Sequence, residues 1–178
     1  MEWVFIIAIA FLLSIVIRTY VLDTRIVPTG SMLPTIQLQD RLIVDKFVYK
    51  FKPLERGDVI VFKAPDSADE DLDLVKRLIG LPGEEVQIKD GKVWIDGKCL
   101  NEPYVSSPPN YEYGPVVVPE GQYFFLGDNR NQSKDSHIWG FMPSENVLGR
   151  VWVRYWPLSG IGHLQGAPDP YFCEESNS

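Results

Sequence analysis

From residue 3 to residue 17 the chain reads WVFIIAIAFLLSIVI, without a charge. Its apolar side chains would cover every face of a helix rather than one stripe, which argues against a core helix that rests one side on a domain. If Arg18 snorkels, the stretch extends through Tyr20, Val21 and Leu22 to about 20 residues, enough to span a bilayer. A cleavable signal peptide is the competing reading. It lacks a basic n-region, and Arg18, Thr19 and Tyr20 follow where a small-x-small site would be needed. Residues 1–22 therefore read as a retained membrane anchor, with too little flanking charge to orient it.

Beyond the anchor the hydrophobic period shortens to two. Leu42 to Val48, Asp58 to Lys63, Leu74 to Ile79, Glu85 to Lys89, Lys92 to Asp96, Tyr123 to Leu126 and Val147 to Tyr155 read as strands. Asp90-Gly91 between two alternating runs predicts a two-residue hairpin, because both turn positions need φ > 0, and Asp96-Gly97 repeats the chemistry. The run EPYVSSPPNYEYGPVVVPEG, Glu102 to Gly121, holds five prolines and reads as an extended loop with room for a brief strand at Val116 to Val118. The acidic run from Asp66 to Asp73 reads as a solvated loop with no assigned role. The expectation is a mainly β catalytic domain over residues 23–165, one N-terminal transmembrane helix over 1–22, and a flexible tail over 166–178.

Composition narrows the function classes. The formal net charge is -7, and Glu2 and Arg18 cancel within the anchor, so the imbalance falls on the rest of the chain and argues against nucleic acid as a partner. The two histidines, His137 and His163, form no HExxH pattern, and Cys99 and Cys173 match no zinc spacing, so no metal or other cofactor is expected. The cysteines alone allow a disulfide, two free thiols, or one of each.

A hydrolase of this composition needs a nucleophile without a histidine base. There is no GxSxG elbow and no SxxK, which leaves a serine served by a lysine kept neutral through burial. Lys76 lies inside an apolar run, with Leu74 and Leu78 on its face if the strand alternates. Such a lysine is either buried with purpose or snorkels at a sheet edge. Ser31 sits in VPTGSMLPT, with glycine before it and prolines three away on either side, a rigid loop that can expose one hydroxyl. An ordinary turn or helix cap would use the same residues.

Taken together, PTGSMLPT, GDVIVF (57–62), KRLIGLPGE (76–84) and GDNRNQSKDSHIWG (127–140) resemble, in order and spacing, the motifs of bacterial type I signal peptidases, from the anchor to about Trp152. The resemblance implies a signal-peptidase-like β-rich catalytic domain that is a membrane-anchored serine endopeptidase. It implies Ser31 as nucleophile, Lys76 as general base, and the Ser31 N–H with the Thr29 hydroxyl as oxyanion hole. Ser133 is implied to orient the lysine, with Asp128, Asn129, Arg130 and Asp135 shaping the surroundings. Where many relatives carry arginine this chain has His137, so an ion pair with Asp135 would need a protonated imidazole. The implied partners are signal peptides of exported preproteins and the lipid bilayer. The implied setting is a single-pass cell-membrane protein whose catalytic domain faces the export side, whether periplasm, exterior or lumen. Trp152, Tyr155 and Trp156 would pack in the sheet or dip into the bilayer interface, with packing favoured. Two rivals stand beside this reading, an inactive tethered β-domain that binds exported chains and a self-cleaving repressor-like Ser-Lys protease.

Overall fold

A computed structural model describes residues 2–47, 51–68, 72–164, 166 and 172–173, without the side chains of 2 and 16–20. Helix α1 covers Glu2–Tyr20. Its described apolar side chains lie open, from Trp3 at 77% to Ile15 at 47% exposed, so none of them is covered by the rest of the described chain. Among the described residues no helix is long and apolar enough to cross a membrane.

Leu22, read from sequence as the end of the anchor, instead opens strand β1 (Leu22–Ile26), which pairs with β2 (Arg41–Asp45) from Leu22↔Asp45 to Ile26↔Arg41. Then come β3 (Val59–Lys63), β4 (Asp73–Gly80), β5 (Glu85–Lys89), β6 (Lys92–Ile95) and β7 (Lys98–Cys99). These are followed by β8 (Tyr113–Val117), β9 (Gln122–Leu126), helix α2 (Ser136–Trp139), β10 (Met142–Pro143), β11 (Val147–Trp156) and β12 (Gly162–His163). One sheet has the order β1-β2-β11-β3-β4-β9-β10, with β12 added to β11; a second has the order β7-β6-β5-β8. Every described strand pair is antiparallel.

Local chemistry explains most of this. Asp90 and Gly91 both take positive φ (52° and 69°), as do Asp96 and Gly97 (50° and 74°), which closes the β5-β6 and β6-β7 turns. Strands β3 and β4 are apolar on both faces because each divides two cores. Val59 and Val61 join Val27, Met32, Ile36, Leu42, Val44 and Val151, whereas Ile60 and Phe62 join Leu78, Phe125, Trp139 and Met142. Ile79 turns the other way from Leu78, into a third core with Val86, Ile88, Val93, Ile95 and Phe124 that binds the small sheet to the large one.

Two further expectations change. The proline-rich run contains a full strand, β8, whose Val116 and Val117 pair with Val86 and Glu85; Pro115 lies within it, after Gly114 at a positive φ of 77°, which an edge strand tolerates. Trp152 and Trp156 stand about half open on β11 while each lies against a neighbouring strand, Trp152 with its ring 5.7 Å from that of His163 and Trp156 under the Arg41 guanidinium at 6.0 Å. The tail is tied down at Phe172 and Cys173. Cys173 forms a disulfide with Cys99, its N–H donates to the Cys99 carbonyl at 2.9 Å, and Phe172 bridges Leu100 and packs on the third core. Much of the acidic run, 69–71, and Val48 lie outside the described residues.

Gly80 marks the tightest point between the two sheets. A Cβ there would sit 2.6 Å from Val86 Cγ2 and 3.0 Å from both Phe124 Cβ and Val118 Cγ2. Gly80→Ala is expected to cost about 1–3 kcal/mol by overpacking, read as a drop in Tm of roughly 2–4 °C per kcal/mol. A Tm equal to wild type would show that the two sheets can part there at no cost.

Candidate active site

The site forms where β9 leaves β4. Pairing of the two strands ends at Arg77↔Leu126, and from Gly127 the chain turns across the side of β4 that it has just stopped bonding. On β4, Lys76 lies opposite Ile60 and shares a strand face with Leu74 and Leu78, both members of one core. The edge reading fails, because β4 lies inside the sheet between β3 and β9 and Lys76 is only 3% exposed. An ammonium there must find a partner or lose its charge. Its Nζ lies 2.7 Å from Ser31 Oγ, in a bond buried from solvent, and Ser31 is itself 8% exposed.

The Ser31 loop is held from several directions. Val27, Met32 and Ile36 are buried in the core beneath it, so the loop rests on apolar side chains that precede and follow Ser31. The Asn129 side chain donates to the Gly30 carbonyl at 3.1 Å, and the Asn129 N–H donates to the Ser31 carbonyl at 3.0 Å. Because a trans peptide points its N–H opposite to its C=O, fixing the Gly30 carbonyl on Asn129 directs the Ser31 N–H away from that residue. Thr29 Oγ1 stands 3.4 Å from Ser31 Oγ.

Beneath the dyad lies a layer of buried ion pairs. Arg77 gives Nε and Nη2 to the two oxygens of Asp128 at 2.8 and 2.7 Å, and Nη1 to the Gly57 carbonyl at 2.8 Å. Burial pulls the Arg77 guanidinium down, but the hydrogen bonds and charge of Asp128 outweigh it and hold its pKa above the ordinary value. Asp128 also accepts the Thr35 hydroxyl at 2.5 Å, which ties β4 to the far end of the Ser31 loop. Arg130 forms a bidentate pair with Glu102 at 2.7 and 2.6 Å and donates Nε to the Gly127 carbonyl at 3.1 Å. Tyr104 closes the layer, with its ring 3.9 Å from Arg77 Cζ and its hydroxyl donating to Glu102 at 2.9 Å. Burial, and then the charge of Glu102, push the Tyr104 phenol well above its ordinary pKa, so it stays a neutral donor.

Asp135 accepts the Gly127 N–H at 2.9 Å through one oxygen and meets His137 Nδ1 at 2.6 Å through the other. The imidazole stacks on Tyr111 with centroids 4.1 Å apart. The contact expected to depend on histidine protonation is thus formed as a hydrogen bond, which a neutral Nδ1–H tautomer also makes.

The structure brings Ser31, Lys76, Thr29, Asp128, Asn129, Arg130 and Asp135 into one assembly. It does not join Ser133 to Lys76 by a hydrogen bond: the Ser133 hydroxyl is buried and lacks a partner. Its place is nonetheless beside Ser31, since a Cβ on Gly127 would meet Ser133 Oγ at 2.2 Å and the Ser31 carbonyl at 2.5 Å. Gly127 is a glycine for that reason. Residues that the sequence reading gave no part in the site are Arg77, Thr35, Glu102 and Tyr104. Arg77 lay within a quoted motif, and its signal was a second cation in an apolar strand; Glu102 and Tyr104 sat in a proline-rich run whose fold-back onto the arginines has no local signature.

A cleft of 370 Å³ is lined by Arg25, Ile26, Pro28, Val61, Leu72, Asp73 and Val75. Pro28 and Val75 are the chain neighbours of Thr29 and Lys76.

Asp128→Asn keeps the size of the side chain and leaves Arg77 buried without its counter-charge, which is expected to destabilise the fold by about 3–5 kcal/mol. The urea midpoint measures this; a midpoint at the wild-type value would show that the arginine layer does not depend on Asp128.

The family described as signal peptidase, peptidase S26, matches residues 1–156. The probable signal peptidase I-2 of Synechocystis sp. is 51% identical over 87% of this chain and 72% of its own length. A signal peptidase I of Leptolyngbya laminosa is 46% identical over 96% of this chain and 86% of its own. Signal peptidase IB of Staphylococcus aureus is 33% identical over 92% of this chain and 93% of its own. A serine and a lysine buried against each other, in a chain matched along nearly its whole length, place the protein in the signal peptidase family S26.

Proposed function

We propose that the protein is a signal peptidase I, a membrane-anchored serine endopeptidase that removes N-terminal signal peptides from exported preproteins with Ser31 as nucleophile and Lys76 as general base. The observation that carries the proposal is the buried 2.7 Å contact between Lys76 Nζ and Ser31 Oγ. A neutral Lys76 takes the Ser31 proton as Oγ attacks the scissile carbonyl, and the resulting ammonium gives a proton to the leaving amine. A water activated by the same amine then releases the acyl-enzyme. The oxyanion is met by the Ser31 N–H, whose direction Asn129 fixes, and by the Thr29 hydroxyl. Ser133 is assigned to steady Lys76 once the Ser31 proton has moved; its buried hydroxyl beside Ser31 supports that part.

The 370 Å³ cleft suits the extended end of a signal peptide. Its Ile26, Pro28, Val61 and Val75 offer an apolar wall, and its small volume favours short side chains. The anchor reading is supported by α1, whose exposed apolar side chains need a cover that the rest of the described chain does not give. The Cys99–Cys173 disulfide suits an oxidising compartment, and so a catalytic domain on the export side.

Detergent-solubilised protein incubated with a precursor bearing an Ala-x-Ala signal peptide tests the dyad. Wild type is expected to cleave, with a rate that rises through mildly alkaline pH as Lys76 loses its proton. Ser31→Ala and Lys76→Ala should be folded and inactive; cleavage surviving either substitution rules out the dyad.

Thr29 gives an independent test. Thr29→Val is expected to slow kcat by on the order of a hundredfold, the usual cost of one lost oxyanion donor, whereas Thr29→Ser stays active. Equal rates in the two variants would remove Thr29 from the oxyanion hole.

A further inference from the structure

We infer that Asn131 is a positioning residue for the nucleophile: its side chain clasps the proline-rich segment ahead of β8 and so steadies the turn whose Asn129 aims Ser31. The inference rests on the reading of Ser31 and Lys76 as the catalytic dyad. Its starting point is a pair of hydrogen bonds from one amide side chain. Asn131 Nδ2 donates to the Pro108 carbonyl and Asn131 Oδ1 accepts the Asn110 N–H, each at 2.9 Å. Acceptor and donor stand two residues apart with Pro109 between them. Of the two soft torsions that relate them, the Pro109 ring fixes φ, so the partners of Asn131 are largely set in place before it binds. The clasped segment is braced on its far side as well. Pro109 is buried, a Cβ on Gly91 would lie 3.2 Å from Pro108 Cβ, and Glu112 accepts the Asp90 N–H at 3.2 Å. Asp90 and Gly91 close the hairpin of β5 and β6, whose Ile88 and Val93 are fully buried. Asn131 therefore connects the turn after β9 to a packed sheet.

The other side of the same turn carries the nucleophile's support. Arg130–Gln132 is a single 3-10 turn flanked by Asn129. Asn129 donates its side chain to the Gly30 carbonyl at 3.1 Å and its N–H to the Ser31 carbonyl at 3.0 Å. The Arg130 guanidinium, between the two asparagines, is bound to Glu102 at the start of the clasped segment. The turn is thus gripped by the serine loop through Asn129 and by the proline-rich segment through Asn131. Released from the second grip, it can carry the Gly30-Ser31 peptide, and with it the N–H that meets the oxyanion, off its line. A shift of about 1 Å at a reacting centre is enough to cost a hundredfold in rate. Asn131 is itself exposed, and substitutions at exposed positions change stability little, so its loss registers in rate rather than in folding.

The test measures kcat and KM of the detergent-solubilised full chain on a precursor bearing an Ala-x-Ala signal peptide, with Tm recorded for every variant. Asn131→Ala is expected to lower kcat roughly tenfold, with KM and Tm at their wild-type values. Asn131→Asp keeps an acceptor for the Asn110 N–H and is expected to recover most of that loss. Asn129→Ala, alone and combined with Asn131→Ala, identifies the route. If Asn131 acts through Asn129, the combined loss is smaller than the product of the two single losses. A wild-type kcat in Asn131→Ala, a loss carried by KM or accompanied by a lowered Tm, or single losses that multiply in the double variant would overturn the inference and leave the dyad standing. Asn131→Asp as slow as Asn131→Ala would overturn the clasp. A wild type that does not cleave overturns the proposed function, and this inference with it.

Discussion

A primary amine closed inside a sheet sets the terms for everything around it. Lys76 lies between two bonded strands, and water is not there to solvate an ammonium. Burial disfavours the charged form of an amine, and this one is 3% exposed with its Nζ 2.7 Å from Ser31 Oγ. The arrangement works only if the lysine cannot turn outward to solvent, and that is why its strand needs neighbours on both sides and apolar residues above and below. The apolar cores on the two faces of β4 thus belong to the chemistry as much as to stability.

Keeping Lys76 buried also requires that the adjacent cation be neutralised. Arg77 follows directly in the strand and its alternation sends it to the other side, where Asp128, the Gly57 carbonyl and the Tyr104 ring receive it. Asp128 in turn holds Thr35, and Asn129 one residue on holds Gly30 and Ser31. A single turn after β9 therefore fixes both partners of the dyad, the lysine through its strand and the serine through its loop. Arg130, bound to Gly127 and Glu102, keeps that turn from opening. The segment carrying Glu102 and Tyr104 acts as a strap across these guanidiniums, and its origin near the Cys99–Cys173 disulfide ties its base to the small sheet.

How much of this could be read from sequence depended on how local its cause was. The Asp90-Gly91 and Asp96-Gly97 turns were legible because positive φ is a property of two residues. The seven expected strands were legible because alternation is local as well. Lys76 stood out as a charge in an apolar run, yet nothing local separates a buried lysine from one at an edge; only the placement of β4 between β3 and β9 does so. Ser31 was legible through its motifs. Glu102, Tyr104 and Phe172 were not, because each takes its role from a partner far along the chain: Arg130, Arg77 and Leu100. The half-open state of Trp152 and Trp156 was hidden for a similar reason, since a strand pattern gives alternation but does not say which sheet face remains uncovered.

The path from α1 to Ser31 is short. Ser31 lies nine residues beyond Leu22, at most roughly 30 Å along an extended chain, and much of that length is spent in β1. Because β1 pairs with β2 along its whole length, the segment cannot act as a loose tether, and the movement of the domain relative to α1 is limited to what Val21 allows. The cleft is lined by Arg25, Ile26 and Pro28 from the same segment. The strand that follows α1 is therefore also a wall of this cleft. On the reading proposed above, in which α1 spans the bilayer, the β1 connection holds Ser31 and this cleft within that same roughly 30 Å of the membrane end.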